Sequence, residues 1–300
     1  MFQVIVPTLN AAKDWSRFSQ SLLENVDASQ ILVLDSESTD GTQDLALKAG
    51  MELHTIKRAE FNHGATRQYG AEIAAKAEIL VYLTQDAVLA SSDTVQKLLT
   101  AFQDPEVGAA YGRQLPRPGA GAIETHAREF NYPEISSVRT LQSRRHLGLK
   151  AAFLSNSLAG YRRSELMNIG GFPPNVIFGE DMYVAARMLL SGKKIAYVAN
   201  ACAYHSHDYT SKQEFKRYFD IGVLHSREAW LLKEFGSAQG EGKRFVISEL
   251  RYLLKRKPTQ IPLALSRTVA KLISYRLGRT EARLPQGTKR AISMHPKYWT

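Results

Sequence analysis

The sequence predicts an α/β domain with a mostly parallel sheet and helices on both faces, followed by a basic α-helical extension. Three observations carry this reading. Short apolar runs alternate with stretches of helical periodicity between Phe2 and Leu83, the pattern of strand–helix–strand units. Polar clusters stand at the ends of three of those runs, where ligands bind in open α/β sheets. The charge is also unevenly divided. Residues 209–300 hold 19 Lys+Arg against 7 Asp+Glu, a net of +12, whereas residues 1–208 hold 20 against 22, a net of −2. The chain therefore divides into an α/β domain, residues 1–208, and a basic amphipathic helical region, residues 209–300.

Taken in order, Phe2–Pro7 reads as a buried strand and is followed by a helix with Trp15, Phe18, Leu22 and Val26 on one face. Ile31–Leu34 is a second buried strand, running into Asp35-Ser-Glu-Ser-Thr-Asp-Gly-Thr. A short helix, Gln43–Ala49, closes at Gly50, and Leu53–Ile56 is a third strand. A helix from the Phe61-Asn-His-Gly-Ala-Thr-Arg segment to about Lys76 leads to a fourth strand, Ile79–Leu83, ending in Thr84-Gln-Asp-Ala. The three polar clusters are Thr8 with Asn10, Asp35 to Asp40, and Gln85 with Asp86. From Val107 to Leu149 the pattern loosens. Tyr111–Gly121 reads as a loop, and Glu124–Leu149, with Arg128, Arg139, Arg144, Arg145 and His146, reads as a mobile basic cover for an anionic ligand. Phe153–Tyr161 reads as a strand beneath the site, Ser164–Ile169 as a helix and Ile195–Val198 as a strand.

Composition narrows the possibilities. An apolar fraction of 44% suits a globular protein. The single cysteine, Cys202, rules out an intramolecular disulfide and fits a reducing compartment. The first residues lack the pattern of a signal peptide, and no run reaches the roughly 18 apolar residues of a membrane-spanning helix. There is no G-x-G-x-x-G after the first strand and no G-x-x-x-x-G-K-[ST]. A nucleotide site must therefore use side-chain carboxylates, with a divalent metal.

The stretch Phe178-Gly-Glu-Asp follows a Gly-Gly-Phe-Pro-Pro turn and opens a helix through Leu190. Two carboxylates, Glu180 and Asp181, thus stand at a helix N-terminus. The helix dipole favours an ionised Asp181 near neutral pH, a state suited to a general base.

These segments resemble those of family 2 glycosyltransferases of the GT-A fold, and most the bacterial rhamnosyltransferase branch. The resemblance rests on Val6-Pro-Thr-Leu-Asn, Leu34-Asp-Ser-Glu-Ser-Thr-Asp-Gly-Thr, Phe61-Asn-His-Gly-Ala-Thr-Arg, Leu83-Thr-Gln-Asp-Ala, Phe178-Gly-Glu-Asp and His205-Ser-His, with Gln213–Val223 similar as well. It runs from about residue 2 to about residue 235. It implies an inverting enzyme that moves L-rhamnose from dTDP-rhamnose to a hydroxyl of a lipid-linked or surface glycan. The alternatives are the same fold using a UDP-sugar, or a non-catalytic nucleotide-sugar-binding or scaffolding subunit whose basic tail recruits partners. The resemblance implies a donor site of Pro7, Thr8, Asn10, Asp35, Ser36, His63, Gly64, Arg67 and Gln85, with Arg67 reaching the diphosphate. Ser36 stands where Asp is more frequent in the family, which weakens a carboxylate contact to the base. Asp86 is the last position of the metal-binding D-x-D motif, and Thr84 replaces its first Asp. His205 and His207 then complete the ligand set for Mn²⁺ or Mg²⁺, imidazole suiting Mn²⁺ better. Asp181 is implied as the general base, with Glu180 positioning the acceptor.

The C-terminal region reads as basic amphipathic helices. Lys212–Phe235 forms one long helix with Phe215, Phe219, Val223, Trp230 and Leu231, and two more helices centre on Leu250 and Leu272. Such helices suit an anionic membrane surface. Their apolar faces equally suit packing on the catalytic domain or on a second copy of the chain. Nucleic acid is disfavoured as a partner, because no binding module accompanies the charge. The expected location is cytoplasmic, peripheral at the inner membrane face. Leu284–Thr300 shows little periodicity and reads as loose.

Overall fold

The computed structural model of the protein describes residues 1–237 and 240–299. Thr300, the last residue of the segment read as loose, lies outside the described residues, as do two residues of the basic helical region. The first half alternates as expected: β1 (Phe2–Thr8), α1 (Trp15–Leu23), β2 (Ile31–Asp35), α2 (Thr42–Lys48), β3 (Glu52–Thr55), α3 (His63–Ile73) and β4 (Ile79–Leu83). β1 lies between β2 and β4, with Val4 opposite Ile31 and Phe2 opposite Ile79, all parallel. Successive side chains of β1 enter opposite layers. Ile5 packs with Leu32, Leu34 and Tyr82 on one face, and Val4 and Val6 pack with Trp15, Phe18 and Val33 on the other. Burial on both faces makes these strands continuous apolar runs rather than alternating ones.

The second half adds β5 (Val88–Leu89), α4 (Thr94–Leu99), β6 (Val107–Leu115), α5 (Ala122–Asn131), β7 (Ser137–Arg139), α6 (Arg144–Leu147), β8 (Leu158–Arg162), α7 (Arg163–Asn168), α8 (Glu180–Leu190) and β9 (Lys194–Tyr204). The sheet has nine strands in the order β3-β2-β1-β4-β8-β6-β9-β5, with β7 also paired to β9. β5, β7 and β8 run against the other six, so the sheet is mixed but mostly parallel. Because β8 is antiparallel to β4, Leu83 at the end of β4 faces Leu158 at the start of β8. The end of β4, the approach to β8 and the ends of β1, β2, β6 and β9 therefore share one sheet edge.

Several sequence expectations are corrected. The stretch read as a loop, Tyr111–Gly121, begins inside β6, a buried strand of the sheet interior that runs on to Leu115. Its small residues carry little strand signal. Gly112 is required by close packing, since a Cβ there would overlap Leu158 and the Ala201 carbonyl. The stretch read as a mobile basic cover holds regular elements, most of α5 together with β7 and α6. Arg139 is buried and donates to the Tyr111 hydroxyl and to the carbonyls of Lys150 and Phe153. The strand read over Phe153–Tyr161 begins only at Leu158, and Ile195–Val198 is part of the longer β9.

The C-terminal region holds α9 (Ser211–Arg227), α10 (Ala229–Phe235), α11 (Glu241–Arg256), α12 (Ile261–Arg279) and α13 (Gln286–Ile292). The expected single helix over Lys212–Phe235 breaks at Glu228, whose φ of −100° and ψ of 52° are non-helical. The stretch after Leu284 is not loose: α13 forms, Trp299 is buried, and its carbonyl accepts from Gln286 Nε2 and Arg290 Nε. α12 crosses α9 at Gly222 and Gly278, where a Cβ on either would overlap the backbone of the other helix.

Candidate active site

α8 begins directly at the carboxylate pair. Its N-cap, Gly179, has φ of 78°, and a side chain there would press on Leu224 of α9. Glu180 is buried, and its Oε1 lies 3.0 Å from Arg67 Nη1. Asn156 Nδ2 donates to the same oxygen at 3.0 Å, and the Tyr161 hydroxyl holds Asn156 Oδ1 at 2.6 Å. Burial opposes the charge on Glu180, but Arg67 and then His63 hold its carboxyl below the usual range. Asp181 takes the backbone N–H of Met182 at 2.8 Å and of Asn156 at 3.3 Å. Its carboxyl is pushed up to about 7 by burial and by the negative charge of Glu180. The helix dipole alone predicts a fully ionised Asp181; desolvation beside a like charge outweighs it.

The loops after β1 and β2 are laced together. Asp35 is fully buried and accepts from Thr8 Oγ1, Ser38 Oγ, the Ser38 N–H and Gln43 Nε2 at 2.6–2.8 Å. Asn10, with φ of 50°, accepts from the Thr39 N–H, and Ser38 Oγ accepts from the Asn10 N–H. Gln85 clamps the Leu9 backbone, accepting from its N–H at 2.7 Å and donating to its carbonyl at 3.0 Å. Pro7, the penultimate residue of β1, lies opposite Leu34. Ser36 is buried, and its hydroxyl has no hydrogen-bond partner among the described residues. Pro7, Thr8, Asn10, Asp35, Ser36 and Gln85 are thus brought to one edge.

His63, Gly64 and Arg67 belong to the neighbouring cluster around Glu180. Asn62 caps α3 by accepting from the N–H groups of Gly64 and Ala65. A Cβ on Gly64 would overlap the Pro173 carbonyl, so this glycine lets α3 meet the turn before α8. Arg67, expected at a diphosphate, is turned inward onto Glu180 and the His63 carbonyl. The C-terminal segment closes this side. His295 stands edge-on to His63 at 5.2 Å and stacks on Phe178 at 6.0 Å, while Arg217 of α9 lies over the Phe178 ring.

Asp86, His205 and His207 form a second cluster, their candidate ligand atoms within 4.8 Å of one another. The Asp86 carboxylate lies 3.4 Å from His205 Nε2, 3.5 Å from His207 Nε2 and 3.1 Å from Arg117 Nη2. Burial raises its pKa, but the hydrogen bond and charge of His205, with His207, hold it well below the carboxylate range. His207 is held down to about 4 by burial and by His205. An ionised carboxylate with two imidazoles fits a divalent ion, and Mn²⁺ better than Mg²⁺. His205 Nδ1 faces Gln114 Oε1 at 3.2 Å, which orients Nε2 toward Asp86. Gln114 Nε2 in turn donates to Ser155 and Ser157, the residues flanking Asn156. One buried chain of polar groups therefore links the Asp86 cluster to the Glu180–Asp181 pair. Beside it opens a cleft of about 360 Å³ lined by Arg117, Glu124, His207, Asp208, Tyr209 and Gln213. Glu124 is buried, and one of its carboxylate oxygens has no hydrogen-bond partner among the described residues.

Sequence reasoning missed Asn156, Gln114, Arg117, Glu124 and His295. Only Asn156, a polar interruption in an apolar run, left a local signal.

A mixed sheet with polar loops along one edge, a carboxylate pair at a helix start and an Asp–His–His cluster together define a GT-A-like sugar-transfer domain. Residues 3–170 match the family described as glycosyl transferase family 2. The chain is 43% identical over 300 residues to the O-antigen chain rhamnosyltransferase WbaN of Salmonella anatum, covering 99% of this chain and 95% of that protein. It is equally identical over 299 residues to RfbN of Salmonella typhimurium, also an O-antigen chain rhamnosyltransferase. In fold it is similar to the mannosyltransferase PcManGT of Pyrobaculum calidifontis, solved with GDP-Man and Mn²⁺. The TM-score is 0.57 at 22% identity, over 99% of this chain and 84% of that one. The chain belongs to glycosyl transferase family 2 and is a nucleotide-sugar glycosyltransferase.

Proposed function

We propose that this enzyme transfers L-rhamnose from dTDP-rhamnose, with inversion, to a sugar hydroxyl of a lipid-linked surface polysaccharide, at the cytoplasmic face of the inner membrane. The observation that carries this reading is the near full-length likeness to two O-antigen chain rhamnosyltransferases. Residues 1–208 carry the catalytic groups, and residues 209–300 buttress them.

Asp181 is the general base. Held at about 7, it takes a hydroxyl proton near neutral pH without being too weak a base to do so. Glu180, kept ionised by Arg67, positions the acceptor and tunes Asp181. Direct displacement needs only this one base, because no carboxylate has to act as nucleophile. Asp86, His205 and His207 would hold the metal, Mn²⁺ or Mg²⁺, which neutralises charge on the leaving diphosphate. Arg117, beside Asp86, supplies the positive charge assigned to Arg67 from sequence. Pro7, Thr8 and Ser36 border the nucleoside, with Asp35, Asn10 and Gln85 shaping that pocket from behind. The cleft beside His207 suits an acceptor sugar. Tyr209, stacked on His207 at 5.1 Å, offers an aromatic face, and Glu124, Asp208 and Gln213 offer hydroxyl partners.

The test is turnover and thermal shift with dTDP-rhamnose, UDP-GlcNAc, UDP-glucose and GDP-mannose, each with Mn²⁺, Mg²⁺ or EDTA. Stabilisation and turnover with dTDP-rhamnose alone support the reading. Preference for a UDP-sugar replaces the donor while leaving the site intact.

A further inference from the structure

No described helix is long and apolar enough to cross a membrane, yet one surface of the C-terminal region is unusually apolar. On α12, Leu265, Val269, Leu272 and Ile273 are exposed, the last three at 57%, 50% and 50%. At 3.6 residues per turn they share one stripe about 100° wide, with Arg276 inside it. The opposite face of α12 is committed to the protein: Ala264, Ser274 and Gly278 are buried, and Ser274 donates to the Phe215 carbonyl of α9. α11, packed beside α12, adds exposed Ile247 and Leu254, the latter at 63%. Single exposed apolar residues are ordinary; six on two adjoining helices mark an interaction surface.

Charge identifies the partner. Residues 243–279 contain ten Lys+Arg and one Asp+Glu. The one acid, Glu249, is buried; of the ten cations, Arg267 and Lys271 bridge to Glu214 and Arg244 to Glu241, and the others carry the basic character of the surface. Arg251, Lys255, Lys257 and Arg276 are exposed, Arg251 between Ile247 and Leu254 on α11 and Arg276 within the α12 stripe. A second copy of the chain is a poor occupant, because a two-fold contact sets this basic face against itself. An anionic lipid surface accepts both components, the apolar side chains entering the acyl boundary and the cations meeting the headgroups.

We propose that the exposed face of α11 and α12 docks on the surface of an anionic phospholipid bilayer. This deepens the reading of a lipid-linked acceptor. The Gly222–Gly278 crossing fixes α12 to α9, and Leu224 of α9 bears on Gly179 beside the carboxylate pair. Docking therefore orients the catalytic edge relative to the membrane plane.

The experiment is cosedimentation of the full-length chain with phosphatidylcholine vesicles and with vesicles also containing phosphatidylglycerol, at low and high salt. Turnover of dTDP-rhamnose without vesicles is measured in parallel. Wild type is expected to bind only the anionic vesicles, with affinity falling at high salt. Val269→Asp with Leu272→Asp should abolish binding while leaving the melting temperature and vesicle-free turnover unchanged. Arg251→Gln, Lys255→Gln and Lys257→Gln should each weaken binding by roughly fivefold. Failure of wild type to bind anionic vesicles overturns the proposal, as does retained binding by the aspartate variant. A wild-type dimer that the aspartate variant splits also overturns it, by assigning the face to a second copy. Vesicle binding without turnover of any donor would instead count against the functional reading.

Discussion

Arg67 Nη1 lies 3.0 Å from Glu180 Oε1, and both side chains are almost wholly withdrawn from solvent. This ion pair sets the ionisation of its neighbour. Asp181 must ionise in a buried site and, with Glu180 held charged, beside an existing negative charge, so its carboxyl rises to about 7. Two carboxylates with separated pKa values commonly mark separate roles. Replacing Asp181 by Asn should lower transfer by about 10²–10⁴-fold, the usual worth of a general base. Donor-induced thermal shift should remain. Near-normal turnover in this variant would remove Asp181 from the base role.

The pH profile follows from the same pair. A base must be deprotonated to act, so turnover should rise with pH through about 7. Glu180→Gln removes the repelling charge while keeping the shape of the side chain. The acid limb should then move to lower pH, even if the maximal rate falls. An acid limb that stays in place would assign it to another group.

Stability should respond in the opposite direction. Asp181 has its folded value raised to about 7 from an ordinary 3.8, so between those values the folded state binds the proton more tightly than the unfolded chain. Its contribution to stability is therefore greatest at low pH and is lost as pH rises through about 7. Asp181→Asn cannot ionise and escapes that loss. Melting curves should show the variant gaining on wild type from pH 5 to pH 8, a window bracketing that value. A variant that loses ground to wild type, or merely keeps pace with it, over this range would contradict the assigned shift.

Much of this site was legible in sequence because its residues cluster locally. Asp35, Asp86, Glu180–Asp181 and His205–His207 each follow a strand or open a helix, where periodicity changes. What stayed hidden is long-range. Gln114 sits on β6, whose Gly108, Ala109, Ala110 and Gly112 give no strand pattern, and it meets His205 only through the β6–β9 pairing. His295 reaches Phe178 from the end of the chain, docked there by the Met294 N–H donating to Asp220. Arg67 was recognised as a cation, but its partner depended on how α3 meets α8, which no spacing encodes.

The Gln114–His205 contact predicts how the second cluster holds a metal. Loss of a partner behind a ligating imidazole typically costs about 10–100-fold in metal affinity. Gln114→Met should weaken Mn²⁺ binding by that amount, read by titration calorimetry. Asp86→Asn should abolish it, and EDTA should reverse any Mn²⁺-induced thermal shift. Because metal binding needs a neutral His207, whose imidazole is held down to about 4, affinity should fall as the buffer is acidified toward that value. Unchanged affinity in Gln114→Met would mean that the His205 ring is fixed by packing alone.

Gly64 tests whether the Asn62-His-Gly segment serves the fold before it serves a ligand. Its Cα faces the Pro173 carbonyl so closely that a methyl group would overlap it, and the obstacle is backbone rather than a flexible side-chain end. Relief must come from moving α3 or the turn that delivers Phe178, Gly179 and the carboxylate pair. Gly64→Ala should therefore destabilise the protein by about 1–3 kcal/mol, the range for overpacked cores, despite the better helix propensity of Ala. It should also lower turnover more than donor affinity, because the displaced partner is the turn before Glu180 and not the loops after β1 and β2. Denaturation midpoints and the split between kcat and KM measure the two effects separately. A stable variant with weakened donor binding alone would place Gly64 at the donor instead.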